Sequence, residues 1–359
     1  MIDAFAFDGL PVRIVFGHGT LASASQEVER LGATRALVLT TPQQEAEGRK
    51  LGAALGSLFA GIYSGARMHT PTDVTEQALQ AMTDCGADCV VSLGGGSTTG
   101  LGKALALRTG VNQLCIPTTY AGSEMTPILG ETKDGLKTTV RTPKVLPETV
   151  IYDVDLTTSL PPGLTATSGI NAIAHAVEAL YAQDRNPVIS LMAEEGIRVL
   201  ARALPVIMAK PDDRDARSEA LYGAWLCGAC LGAVGMALHH KLCHTLGGTF
   251  DLPHAETHTI VLPHAMAYNA PAVPEAAAKI ARALGTADAA LGLYDLARRL
   301  NARLALKDIG MPRDGIDKAA DLAVTDAYWN PRPLERGAIR DLIARAWVGE
   351  APVTIPLAA

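Results

Sequence analysis

At 359 residues the chain is long enough for two domains of ordinary size, and 48% hydrophobic with 19% charged residues is a globular composition. A net charge of −6, the lack of any lysine or arginine run and only 4% aromatics argue against nucleic acid and anionic membrane as partners. Six cysteines, mostly in apolar context, and a start (MIDAFAFDG) with neither a basic stretch nor a sustained apolar one predict a reducing, cytoplasmic setting.

Residues 12–16 (VRIVF) and 35–40 (RALVLT) are short apolar runs between turn signals and predict strands, with a helical pattern over 21–31 between them. A further apolar run precedes Tyr63, and a helix is expected over 74–82 behind Pro71-Thr72-Asp73. Residues 89–93 predict a buried strand, Gly94-Gly95-Gly96-Ser97 a turn, and 101–107 a helix. A strand that ends in three glycines and opens a helix suits a phosphate. Glycine lets the backbone approach the ligand, and the first helical N–H groups favour an anion. The motif is neither GxGxxG nor a Walker sequence, and a purely structural tight turn is the competing reading. Residues 114–116 predict another strand, followed by the hydroxyl-rich PTTYAGSE (117–124) where nucleotides bind in open α/β sheets. Residues 135–140 and 149–152 read as the last strands, an edge pair or a hairpin.

Beyond Asp155 nearly every segment has helical spacing, with breaks at Pro187, Pro211, 247–253, Pro263, Pro271, Pro312 and 330–333. The expected organisation is an α/β nucleotide domain over 1–157 and an all-helical domain over 158–359, with the site in the cleft between them. Residues 221–238 are eighteen without a charge, the lower limit for crossing a bilayer. Their richness in glycine and alanine favours one tightly packed core helix instead. Cys227 and Cys230, inside this run, read as small packing residues, not as a redox pair.

Five of the nine histidines lie within LHHKLCHTLGGTFDLPHAETH (238–258), and His264 follows. His240 and His244 are four apart and share a helical face; Gly247-Gly248 is expected to end that helix, and Pro253 to return His254 from a loop. Imidazoles gathered beside a glycine-rich turn point to metal ligation or proton exchange. Asn171 and His175 are also four apart, on a segment apolar enough to be buried, where a polar pair needs partners.

Four motifs, GGGSTTGLGKA (94–104), PTTYAGSE (117–124), GINAIAHAVEALY (169–181) and the HxxxH…PHA pattern (240–255), resemble the iron-containing alcohol dehydrogenase family, and within it the maleylacetate reductases. The resemblance spans the whole chain. It implies a dinucleotide-binding α/β domain and a helical domain, homodimeric assembly, and NADH or NADPH as cofactor. Gly94, Gly95, Gly96 and Ser97 would receive the pyrophosphate, with Thr118, Thr119, Thr41 and Lys103 completing the cofactor contacts. Metal-dependent members bind Fe or Zn through an Asp and three His, positions that fall here on Asn171, His175, His240 and His254. The amide at Asn171 removes the only anionic ligand, so no metal is expected.

The reaction implied is reduction of the maleylacetate carbon–carbon double bond to 3-oxoadipate during aromatic-compound degradation, with a small dicarboxylate as substrate. His244 is the expected proton donor, with His175, His240 and His254 as the other catalytic groups. Asn171, His175, His240, Tyr120 and Arg332 are the expected substrate contacts, with Lys241 a further carboxylate partner. The strand ending Leu39-Thr40-Thr41-Pro42 carries no acid to repel a 2′-phosphate, so both cofactors are expected to serve. The competing readings are a metal-dependent alcohol dehydrogenase of the same fold and a non-catalytic nucleotide-binding oligomer.

Overall fold

The computed structural model describes residues 4–356. Residues 9–160 form one compact unit, and the remaining described residues form another. The expected boundary at 157/158 moves to 160/161, because the turn after Asp153 continues with Leu160 N–H bonded to the Thr157 carbonyl. Residues 4–8 group with the helical unit.

The first unit contains β1 (Arg13–Gly17), α1 (Ala24–Arg30), β2 (Ala36–Leu39), α2 (Glu45–Leu55), β3 (Phe59–Tyr63), α3 (Thr72–Cys85), β4 (Cys89–Gly94), α4 (Gly96–Thr109), β5 (Asn112–Pro117), β6 (Ile128–Lys133), β7 (Leu136–Arg141) and β8 (Thr149–Asp153). Six strands make a parallel sheet in the order β1-β8-β5-β4-β2-β3. The near-continuous apolar character of β2, β4 and β5 is what a parallel sheet covered on both faces demands.

One expectation fails here. Residues 149–152 are neither an edge nor half of a hairpin: β8 lies between β1 and β5 with every residue buried. The hairpin is β6 with β7, a separate antiparallel pair joined through Asp134 (φ 50°) and Gly135 (φ 77°). Strand β6 (ILGETK) is half polar, so its sequence gave no apolar run to signal it.

The helical unit comprises α5 (Pro162–Ala179), α6 (Pro187–Ala209), α7 (Arg214–Ala233), α8 (Leu238–Phe250), α9 (His254–Asn269), α10 (Pro274–Leu284), α11 (Ala289–Arg299), α12 (Gly315–Val324) and α13 (Arg336–Val348). Pro187 opens α6 at its first position, where the missing N–H costs nothing. Side chains of Asn186, Asp213 and Asp288 accept backbone N–H bonds at the starts of α6, α7 and α11. Pro263 does not break its helix. It sits within α9, where every residue from Thr257 to Asn269 is buried, and packing on all sides outweighs the lost hydrogen bond.

The apolar run 221–238 is not one helix. It divides at 234–237, and the axes of α7 and α8 bend by 93° there. At the break Gly235 N–H donates to the Asp184 carboxylate. Close approach of α6 and α7 explains the glycines: a Cβ on Gly223 would lie 2.7 Å from Val199 Cγ2. Among the described residues, no single helix is long and apolar enough to cross a membrane. Cys227 and Cys230 are buried, free packing residues, as expected.

Candidate active site

Asn171, His175 and Glu178 follow one another at i, i+4 and i+7 on α5, so they line one buried face. Glu178 was missed in the sequence reading, although NAIAHAVE carries that spacing. Its carboxylate is fully buried and takes three donors: Ala237 N (2.8 Å), His239 N (2.7 Å) and His240 Nδ1 (2.7 Å). The first two are N–H groups at the start of α8, which otherwise lack partners. The third sets the tautomer: Nδ1 of His240 carries hydrogen toward the carboxylate and Nε2 is left facing away. Glu178→Gln should therefore lower kcat/KM roughly tenfold to a hundredfold, the usual effect of losing a carboxylate behind a functional imidazole. Unchanged kinetics in a folded variant would remove Glu178 from the site.

The histidines do gather. His175 and His240 stack with ring centroids 5.2 Å apart, and His244 lies 6.2 Å from His240 along α8. His254 sits 4.3 Å from His258, ring to ring. Two geometric expectations change. Helix α8 runs through Gly247-Gly248 to Phe250 and stops where Asp251 takes a left-handed conformation (φ 53°). His254 is the first residue of α9, not part of a loop.

Beneath these lies a second layer that sequence reasoning did not single out. His239 Nε2 and His258 Nδ1 are 3.0 Å apart, with Cys243 Sγ 3.7 Å from His239 Nε2. Burial holds His175, His239 and His258 well below the ordinary imidazole range, and neighbouring imidazoles push in the same direction. His264 falls away from this cluster; burial, with Arg345 nearby, lowers it to about 4.

In the α/β unit, the turn after β4 is built for close approach. Gly94 has φ 146°, and a Cβ there would lie 2.6 Å from Gln44 Oε1 and 2.7 Å from Thr98 Oγ1. No side chain caps the start of α4, so its first N–H groups remain available to an anion, and the cradle fits a pyrophosphate. Thr118 N–H bonds the Gly94 carbonyl, and Gln44 links Thr41 to Thr118 through 3.3 Å and 3.1 Å contacts. Thr119 packs against Gly95, and Ser97 lies in the first turn of α4. Gln44 is the member of this group that sequence reasoning passed over.

One expected contact is corrected, and a second has structural partners of its own. Lys103 is fully buried, and its ammonium, with three hydrogens to give, is ringed by Ser123 O, Thr126 O, Thr126 Oγ1 and Ile128 O at 2.6–2.9 Å. Burial lowers its pKa to about 7, and the group braces the loop after β5 instead of reaching a cofactor. Arg332 is 4% exposed, with Nη1 donating to Tyr268 O and Ile355 O and the guanidinium stacked 4.3 Å over the Tyr268 ring. Through Nη1 it holds its turn. Tyr120 is buried in the loop after β5.

Asn171 Oδ1, His175 Nδ1 and His240 Nε2 are buried and make no hydrogen bond. Three members of the metal set implied by the resemblance thus present open polar atoms, as a ligand-binding cavity requires. The set contains no carboxylate, and an amide oxygen is a weaker ligand than the Asp found there in metal-dependent members. Among the described residues, the His/Cys/Asp/Glu trio with ligand atoms within 4.8 Å of one another is His239, Cys243 and His258. Its two imidazoles already hydrogen-bond each other.

Residues 11–154 match the profile of the iron-containing alcohol dehydrogenases, and residues 165–347 match the C-terminal profile of the Fe-containing alcohol dehydrogenase family. The chain is 57% identical over 351 residues to the maleylacetate reductase of Rhizobium sp. strain MTP-10005, covering 98% of this chain and all of that one. It is 56% identical to the maleylacetate reductase of Burkholderia cepacia over the same lengths. The crystal structure of maleylacetate reductase from Agrobacterium tumefaciens superposes with a TM-score of 0.95 at 56% identity, covering 98% of this chain and all of that one. Sequence motifs, fold and full-length similarity agree, and the chain is an oxidoreductase that belongs to the iron-containing alcohol dehydrogenase family.

Proposed function

We propose that this protein is a maleylacetate reductase, reducing the carbon–carbon double bond of maleylacetate to 3-oxoadipate with NADH or NADPH and without a metal requirement. The observation that carries the reading is the set of buried polar atoms without a hydrogen bond, Asn171 Oδ1, His175 Nδ1 and His240 Nε2, formed where metal-dependent relatives need a carboxylate. A cavity lined by neutral amide and imidazole groups accepts a dicarboxylate that an aspartate there would repel. The 50–57% identity to maleylacetate reductases over nearly the whole chain supports the same substrate. Lack of an acid directly after β2 supports use of both cofactors. We further read the protein as a cytoplasmic homodimer serving aromatic-compound degradation, with neither nucleic acid nor membrane as partner.

When bound, the nicotinamide supplies a hydride. The chain's residues must then stabilise the enolate that forms on the substrate's keto oxygen and deliver a proton to the carbon beside that keto group. His240 is set for the first task in the form that carries hydrogen on Nε2 as well, because the Glu178 carboxylate holds Nδ1–H, fixes the ring and leaves Nε2 directed away to donate. His244 is set for the second: it lies one turn on along α8, is exposed, and can exchange protons with solvent.

The test is oxidation of NADH and of NADPH by the full-length protein with maleylacetate, with and without EDTA. Turnover with either cofactor that chelator leaves unchanged is the expected result. Loss of activity on chelation, with bound Zn or Fe in the purified protein, would return the site to the metal-dependent class. Asn171→Asp should raise affinity for divalent metal and weaken maleylacetate binding, measured by metal titration and KM.

A further inference from the structure

The helical unit carries a cavity of about 310 Å³ whose walls include Lys241, His244, Thr245, Thr249, Asp326 and Tyr328. The volume suits a small molecule. Lys241 is partly buried on α8, and its ammonium stands 5.9 Å from the centre of the Tyr328 ring. The Tyr328 hydroxyl is 2.9 Å from His244 Nδ1. One aromatic residue therefore touches both the cation and the expected proton donor.

Lys241 differs from several cations of this unit. Arg198, Arg202, Arg282, Arg336 and Arg340 each pair with a carboxylate. Among the described residues Lys241 forms no ion pair, Asp326 on the same wall included. A cation left without a counter-ion, on the wall of a cavity furnished with threonine hydroxyls, is a seat for an anionic ligand group. Arg332, the other basic residue suggested by sequence, is committed to backbone carbonyls.

We propose that Lys241 binds one carboxylate of the substrate, and that Tyr328 is a positioning residue holding Lys241 and His244 in register with it. The inference rests on the dicarboxylate reading above and deepens it: the cavity fixes one end of the substrate beside the proton donor. The carboxylate accepts hydrogen bonds from the ammonium and from Thr245 or Thr249, while Asp326 disfavours a second anion in the same cavity. The other carboxylate must lie elsewhere, so the substrate spans the site with its unsaturated centre set back from Lys241.

The experiment measures two things on the full-length enzyme: maleylacetate kinetics with NADH, and direct binding of adipate by calorimetry. Lys241→Met should raise KM for maleylacetate and Kd for adipate by roughly ten- to a hundredfold, the worth of a charged hydrogen bond, with kcat and KM for NADH nearly unchanged. Lys241→Arg should recover most of both. Tyr328→Phe keeps the ring under Lys241 but loses the hydroxyl, so kcat should fall severalfold while adipate affinity holds. Thermal melts confirm that each variant is folded. If wild type reduces maleylacetate and Lys241→Met changes neither KM nor adipate affinity, the carboxylate seat is wrong and the reductase reading stands. If wild type fails to reduce maleylacetate yet binds adipate in a Lys241-dependent way, the seat stands and the substrate assignment falls. If adipate binding is absent from wild type and there is no turnover, both are overturned.

Discussion

His244→Ala should lower kcat for maleylacetate reduction roughly a hundredfold to ten-thousandfold, the usual range for removing a positioned general acid. Nδ1 of His244 is held by the Tyr328 hydroxyl at 2.9 Å, which fixes the orientation of the ring. The residue is exposed, which lets solvent reload it between turnovers and leaves the packing of the alanine variant intact. Its neighbour one turn back, His240, is committed through Nδ1 to Glu178 and cannot rotate to replace it. KM for NADH should hold, because the lost group acts after the hydride has moved. A folded variant that binds cofactor and keeps near wild-type kcat would place the proton donor elsewhere.

The second large effect is on stability. His175, His239, His258 and His264 are buried and resist protonation, His264 until about pH 4. In the unfolded chain the same imidazoles take up protons as pH falls through about 6.5. Between about 6.5 and 4 the unfolded state therefore binds more protons than the folded one, and stability falls as pH falls. Each group contributes a slope of roughly 1.4 kcal/mol per pH unit, so the four together give roughly 5 kcal/mol per unit at the steepest point. Urea denaturation followed at about pH 7, 6 and 5 measures this directly, with the helical unit expected to lose its resistance well before the carboxylates titrate. A flat midpoint across that range would show that the buried imidazoles accept protons in the native state.

Much of this molecule was readable before any coordinates. Parallel strands announced themselves because β2, β4 and β5 are covered on both faces and so are apolar over most of their length; β6, half polar and outside the main sheet, gave no such signal. The glycine turn was legible because φ 146° at Gly94 and the contact a Cβ would make with Gln44 and Thr98 leave few alternatives. Proline and glycine misled where packing overruled them: α9 passes through Pro263 and α8 through Gly247-Gly248. The imidazoles were found by type and spacing. Their supports were not, since Glu178, Gln44 and Tyr328 act through contacts 62, 74 and 84 residues away in sequence. Lys103 and Arg332 show the converse error. A basic residue beside a motif suggests a ligand, but burial and bonds to backbone carbonyls point to a brace.

The three donors that converge on Glu178 make one carboxylate both the end-stop of a helix and the reference point for an imidazole. Changes that strengthen or relax the start of α8 must then also turn the His240 ring. Efforts to evolve a hardier enzyme should find few tolerated substitutions around 235–240 and Glu178, and most of their gains in regions that do not touch this junction. The break in the apolar run is thus a constraint on adaptability: there, heat resistance and turnover cannot be tuned independently.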